Sequence, residues 1–318
     1  MKHITYFLLF LPFFLIGQTA VNQAEIYINN KQFSQAENSL KPYVEENPNN
    51  LKAIELLGDA YGHQKKWDDA ITYYKQLVVQ KPNVANYHYK YGGALGMKAL
   101  TVSKISALMI IGDIKTSFLK AVELDPKHID AHWALVELYM QLPGVVGGSK
   151  NKSLKYADAL QNLSKVDGYL AKGYIYEYDN EPELAEKFYK KAIQTGGSVT
   201  CYDKLTKLYE KEGKTNLAIS NLEAANLKHK RNAMHYQIGK VCADYNVQLE
   251  KGEFCLKIYL ENYSAKDGVP KAWAYYRLAQ IYKHKNNKTE ALKWIDKAIV
   301  DLPKIEVFKT EKQKINML

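Results

Sequence analysis

The sequence predicts an all-α protein built from about eight stacked helical hairpins. Three observations predict it. The stretch from Leu51, LKAIELLGDAYGHQKKWDDAITYYKQLVVQKPN, and the stretch from Ala272, AWAYYRLAQIYKHKNNKTEALKWIDKAIVDLPK, match place for place. Within each stretch the apolar residues fall three and four apart, the spacing of one buried helix face. Finally, 18 Gly and 9 Pro in 318 residues are too few for a many-turned all-β chain. Hydrophobic residues at 47% and charged residues at 25% also exclude a disordered or collagen-like chain.

In the first stretch Leu57, Gly58 and Tyr61 are followed by Ala70, Tyr74 and Pro82. In the second, Leu278, Ala279 and Tyr282 are followed by Ala291, Ile295, Ala298 and Pro303. Antiparallel helices approach closely only where small side chains meet, which places Gly58 against Ala70 and leaves Tyr61 and Tyr74 to fill wider gaps. Pro82 stops the second helix. A lone hairpin leaves one apolar face uncovered, so neighbours must stack. This pattern resembles the tetratricopeptide repeat, a helix–turn–helix unit of 34 residues. The resemblance implies a right-handed α-solenoid whose usual job is to hold peptides or proteins. Periodicity alone shows stacked hairpins, and fold does not fix function.

The elements follow in order. Met1–Ala20, MKHITYFLLFLPFFLIGQTA, has a basic start, an apolar run from Ile4 to Ile16, and small or polar residues after it. That is the layout of a secretory signal peptide, with an uncleaved anchor as the alternative. The run is shorter than the roughly 20 residues that span a bilayer, and no later run is long enough. No Cys follows it, which argues against lipid attachment. Export to the periplasm, cell envelope or medium is the expectation. Residues 21–303 form the repeat array. Unit one keeps Tyr27, Ala36, Leu40 and Pro48, and unit two runs from Leu51 to Val84. Unit three starts at Ala85 and closes with Phe118, Ala121 and Pro126; unit four starts at Ile129 and resumes at Ala157. Both carry insertions. Gly173, Tyr176, Ala185 and Tyr189 mark unit five, and Leu205, Tyr209, Ala218 and Leu222 mark unit six. Unit seven is degenerate, with Ile238, Gly239, Cys242, Cys255 and Tyr259, and unit eight starts at Ala272. The basic tail, 304–318, reads as a short capping helix.

The resemblance also implies where a partner sits, because first helices line the groove of this family. The place just after the one usually held by Trp carries Glu55, Tyr89, Trp133, Leu170, Asp203, Tyr236 and Tyr276, with Tyr174 and Trp273 on nearby places. Tyr89, Trp133, Tyr174, Tyr236, Trp273 and Tyr276 would then form an aromatic stripe suited to an extended peptide. A register drift of one residue would instead put these rings into packing between helices, and both readings stand. Formal charge is +10, and lysines recur at 204, 207, 211, 214, 228, 230, 283, 285 and 288. They mark an acidic partner, phosphate-bearing envelope polymers, anionic lipid, or simply a solvated face.

Two insertions are individual to this chain. GMKALTVSKISALMIIGDIK, from Gly96, is apolar for an inserted segment. It lengthens the helices of unit three, adds core, lies over the groove as a lid, or offers a contact surface to a partner or membrane. QLPGVVGGSKNKSLKYA, from Gln141, breaks a helix at Pro143 and Gly144 and offers Ser149 as the next cap. It reads as a structural turn, or as an anion or ligand loop of Gly147, Gly148, Ser149 and Lys150.

Catalytic and metal signatures are missing: no His-Glu-x-x-His, no paired-Cys spacing, no Gly-x-Ser-x-Gly and no phosphate-binding Gly-x4-Gly-Lys-Ser/Thr. Three cysteines exclude a disulfide scaffold; Cys242 and Cys255 fall on facing helices as either two buried thiols or one disulfide. The sequence thus predicts a non-enzymatic protein-interaction scaffold of the cell envelope. It needs no cofactor and no metal. Its partner is a protein or peptide, not nucleic acid. A periplasmic small-ligand or solute-binding helper, its pocket covered by the insertions, is the alternative.

Overall fold

The structure is a computed structural model that describes residues 20–318, so the expected signal peptide lies outside the described residues except for Ala20. Among the described residues there is no strand, and no helix is long and apolar enough to cross a membrane. The chain divides into two compact units, Met1–Leu163 and Ser164–Leu318.

The first unit holds four hairpins. They pair α1 (20–29) with α2 (Phe33–Glu46), α3 (Leu51–His63) with α4 (Trp67–Gln80), α5 (Ala85–Ala99) with α6 (Lys104–Leu124), and α7 (Ile129–Gln141) with α8 (Lys150–Leu163). The second unit holds four more and an end helix. They are α9 (Lys165–Tyr178) with α10 (Pro182–Thr195), α11 (Val199–Lys211) with α12 (Thr215–His229), α13 (Asn232–Tyr245) with α14 (Leu249–Glu261), and α15 (Lys271–His284) with α16 (Lys288–Asp301). The end helix α17 (Glu306–Asn316) lays a fully buried Phe308 against the last hairpin.

One residue sets the turn of most hairpins. Lys31, Lys65, Asn180, Gly213 and Asn286 all occupy the left-handed region two residues before the second helix, while the α13–α14 turn has left-handed Asn246 and Gln248 instead. Gly and Asn reach that region at low cost, and in the first two hairpins Lys takes the strain. Of the two hairpins with insertions, α5–α6 has no left-handed residue in its turn and α7–α8 has Gly147.

Inside three hairpins a ring of the second helix crosses a glycine of the first, at Gly58, Gly92 and Gly173. A Cβ on Gly58 would lie 2.6 Å from the Tyr74 ring, and one on Gly173 would lie 2.3 Å from the Tyr189 ring. The missing side chain at Gly58 thus makes room for the Tyr74 ring. Each of the two tyrosine rings carries its hydroxyl through to a carboxylate on the first helix. Tyr74 Oη donates to Asp59 at 2.7 Å, and Tyr189 Oη donates to Glu177 at 2.7 Å.

Hairpins are clamped to one another by buried-edge glutamates. Glu37 on α2 is held by Lys66 at 2.6 Å and Gln64 at 2.7 Å, both in the turn of the next hairpin. Glu186 on α10 accepts from Tyr209 at 3.0 Å and pairs with Lys190 at 2.7 Å and Lys214 at 3.8 Å. Glu253 on α14 pairs with Lys257 at 2.6 Å and Lys285 at 2.7 Å and accepts from Tyr282 at 2.7 Å. Burial alone would raise the Glu253 carboxyl, but the hydrogen bonds from Lys257, Lys285 and Tyr282 outweigh it and hold it at about 2. Because the folded value lies below the ordinary 4.5, this clamp stabilises above that pH and is lost as pH falls from 4.5 towards 2. Its removal by Glu253→Gln is expected to cost about 2 kcal/mol at pH 7 and little at pH 2.5, read by urea denaturation at both pH values.

Candidate functional site

The first helices present a ladder of charges in each unit. In the first unit, Lys52 reaches Glu25 at 2.8 Å, and Lys90 on α5 bridges Glu55 and Asp59 on α3, each at 2.7 Å. Lys90 is 20% exposed, Glu55 18% and Asp59 24%, so the three are half-buried and preorganised. Asp59 is the carboxylate that Tyr74 reaches from the core.

In the second unit the ladder is longer. Lys240 on α13 lies 3.5 Å from Glu210 on α11 and 3.5 Å from Asp244 one turn along α13. Asp244 pairs closely with Arg277 on α15, which also donates to Gln280 at 2.8 Å. The guanidinium lies 5.0 Å from the centre of the Tyr276 ring. Burial raises the Tyr236 hydroxyl, and the nearby Arg277 partly offsets this. Lys283 of α15 then pairs closely with Glu311 of α17, whose side chain is 4% exposed. Glu210, Lys240, Asp244 and Arg277 form one alternating run across three consecutive first helices.

Of the two readings of the aromatic places, packing between helices holds at Tyr236 and Tyr276. Tyr236 and Tyr276 are both buried, at 6% exposure. Tyr236 packs on Tyr259 of α14, and Tyr276 packs on Phe308 of α17. Tyr89 is tucked against Phe118 and His128, and Trp273 meets Tyr276 and Phe308 edge-on. Trp133 on α7 and Tyr174 on α9 are half-buried, Tyr174 beside Tyr178. Tyr89, Tyr236, Trp273 and Tyr276 are drawn inward, each against a ring on a neighbouring helix. Of these rings, Tyr276 lies beneath the Arg277 guanidinium of the ladder.

Sequence reasoning missed the ladder, since it searched for rings. The signal was present as opposite charges about one repeat apart: Asp59 and Lys90 are 31 residues apart, and Asp244 and Arg277 are 33. Of the recurrent lysines, Lys214, Lys283 and Lys285 make such pairings, and others are held differently. Lys207 pairs with Asp203 at 2.8 Å, and Lys288 donates to the Asn316 carbonyl at 2.7 Å.

The glycine-rich insertion spends its amides internally, which corrects its reading as an anion loop. Gly147 N donates to Gly144 O at 3.0 Å, Gly148 N to Pro143 O at 3.1 Å, and Ser149 N to Tyr139 O at 2.8 Å. A Cβ on Gly148 would sit 1.7 Å from the Leu142 carbonyl oxygen, so glycine is required there. Ser149 Oγ accepts from Lys152 N at 3.3 Å, capping α8, and Lys150 is the first residue of that helix. Open clefts of about 520 and 510 Å³ lie in the second unit. The first is lined by Asn226, Lys230, Arg231, Asn232 and His235, the second by Glu183, Glu186, Lys187 and Lys190. Both insertions belong to the first unit.

Cys242 and Cys255 are buried and unbonded, as is Cys201. A Cβ on Gly252 would lie 2.5 Å from Cys242 Cβ, so Cys242 serves as a small residue in a tight helix contact. Burial pushes the Cys242 thiol up to about 12 and the Cys255 thiol up to about 11. Neither thiol is expected to react with a disulfide reagent at pH 8 in the folded protein, and three are expected to react in denaturant without prior reduction. Recovery of only one thiol in denaturant would establish the disulfide.

Comparisons with known proteins agree with this architecture. Two family models described as tetratricopeptide repeat match the chain, one over residues 24–91 and the other over 166–195 and 274–299. A solved tetratricopeptide repeat protein from Parabacteroides merdae is 16% identical, with TM-score 0.51, 95% of this chain covered and 99% of that one. A thermophilic tetratricopeptide repeat protein from Thermus thermophilus is 14% identical, with TM-score 0.50, 61% of this chain covered and 97% of that one. No curated protein matches the chain in sequence. The chain thus carries tetratricopeptide repeats on an all-α solenoid fold.

Proposed function

We propose that this protein is a non-enzymatic interaction scaffold that holds a protein or peptide segment along the first-helix face of its repeats, exported to the cell envelope. The observation that carries this reading is the run Glu210, Lys240, Asp244 and Arg277. Its charges are fixed by their neighbours before any partner arrives, so binding immobilises few side chains. Alternating signs favour a segment whose own charges alternate in the same register and disfavour one that is uniformly charged. The expected envelope location rests on the layout of Met1–Ala20.

The test is affinity capture of the tagged protein from its own cells after mild cross-linking, read by mass spectrometry. The wild-type chain is expected to retain a stoichiometric protein partner whose yield falls with salt. Arg277→Glu is expected to reduce that yield about tenfold, the effect of misplacing one desolvated charge. The swap Asp244→Arg with Arg277→Asp controls for folding, because it keeps the internal pair and still inverts the ladder. Equal capture by all three proteins, or no specific partner for any of them, would overturn the reading.

A further inference from the structure

The extended hairpin of the first unit carries an apolar tip that the scaffold reading does not use. Helix α6 has 21 residues, whereas α4 and α8 have 14 each. At 1.5 Å per residue the excess is about 10 Å, and it lies at the end where α5 turns into α6. Of the readings open for this insertion, the structure shows lengthened helices.

The tip is exposed. Met97 is 43% exposed, Leu100 71%, Ile105 76%, Leu108 50% and Met109 80%. Ile105, Leu108 and Met109 stand three and four apart, one stripe of the helix, while Ile114 and Phe118 further along α6 are buried. Five large apolar side chains within 13 residues form a patch of the kind that marks an interaction site.

Charge and shape indicate the occupant. Between Gly96 and Gly112 the charged residues are Lys98 and Lys104, with no carboxylate. Lys98 is paired with Asp68, and Lys104 is exposed at the tip. The whole chain carries +10. An apolar tip whose own charged residues are both lysines, Lys98 paired with Asp68 and Lys104 exposed, suits an anionic lipid surface, where the side chains enter the acyl boundary and the Lys104 ammonium group stays among the headgroups. The excess length of about 10 Å also matches the depth of roughly 5–10 Å to which interfacial helices bury their apolar face. Met, Leu and Ile bring no hydrogen-bonding group that would need a protein partner.

We infer that the α5–α6 tip inserts into anionic membrane surface and holds the repeats against it. The test places an environment-sensitive dye at the tip of the full chain through Met109→Cys, the native thiols being buried. A second protein carries the dye at Val300→Cys on α16, a position 79% exposed. Vesicles of phosphatidylcholine with phosphatidylglycerol are expected to blue-shift the tip dye and leave the α16 dye unchanged. Pure phosphatidylcholine is expected to give at least about tenfold weaker partitioning of the tip. Adding Ile105→Glu and Leu108→Glu to the tip protein is expected to abolish the shift. The dye reports the tip alone, so membrane affinity of the apolar N-terminal segment does not mimic the result. No tip shift with anionic vesicles, an equal shift at both positions, or a tip shift that grows with protein concentration without vesicles would each overturn the inference; the last would show self-association.

Discussion

Gly173→Ala is expected to destabilise the second unit by about 3 kcal/mol, lowering the midpoint of thermal unfolding by roughly 6–12 °C. Intrinsic helix propensity predicts the opposite sign, since alanine is favoured over glycine in a helix by about 0.5–1 kcal/mol. Sterics win here because the new Cβ would stand 2.3 Å from the ring of Tyr189, which is fully buried and anchored through Glu177. The ring has no open side to move into. Tyr189→Leu in the Gly173→Ala background is therefore expected to be less harmful than the sum of the two single changes. Calorimetry of the four proteins checks this, and a Gly173→Ala chain as stable as wild type would contradict the packing account.

Arg277→Ala is expected to cost about 2 kcal/mol, between the values for exposed and fully buried pairs. Arg277 is 12% exposed and Asp244 27%, so the change leaves a partly desolvated carboxylate with only the looser Lys240 contact at 3.5 Å and uncovers Tyr276. The swap Asp244→Arg with Arg277→Asp is expected to recover about half of that loss, since it restores the pair but not the stacking on Tyr276. Urea denaturation of the two single changes and the swap gives the coupling energy. A swap no more stable than the worse single change would mean that the ladder is not a paired structure.

These two sites differ in how legible they were. The hairpin register was readable because Gly173, Ala185 and Tyr189 recur at fixed spacing and each has one packing role. What crosses the glycine was not readable, since both Ala70 and Tyr74 satisfy the spacing in front of Gly58. The rings at 89, 236 and 276 sit at a helix edge where a rotamer decides between groove and core. The sequence has no information on the rotamer, and a partner ring on the next helix settles it. The loop at Gly147–Ser149 stayed open between turn and anion loop for a related reason: glycines show that amides can approach closely, not whether carbonyls already hold them. The ladder was missed because its members are a whole repeat apart and become neighbours only when hairpins stack. The left-handed turn residues were legible at Gly213 and the asparagines and hidden at Lys31 and Lys65, where stacking overrides local preference.

The central claim is that a partner lies along the first-helix face. It is tested most directly by a photo-activatable cross-linker placed in turn at Lys207 and at Val300. Lys207 is on α11, its side chain 63% exposed and one turn from Glu210. Val300 is on the second helix of the last hairpin. Irradiation in the cells that make the protein is expected to join the partner at 207 and not at 300. Cross-linking of the same partner at 300 and not at 207 would place it on the second-helix face and contradict the account.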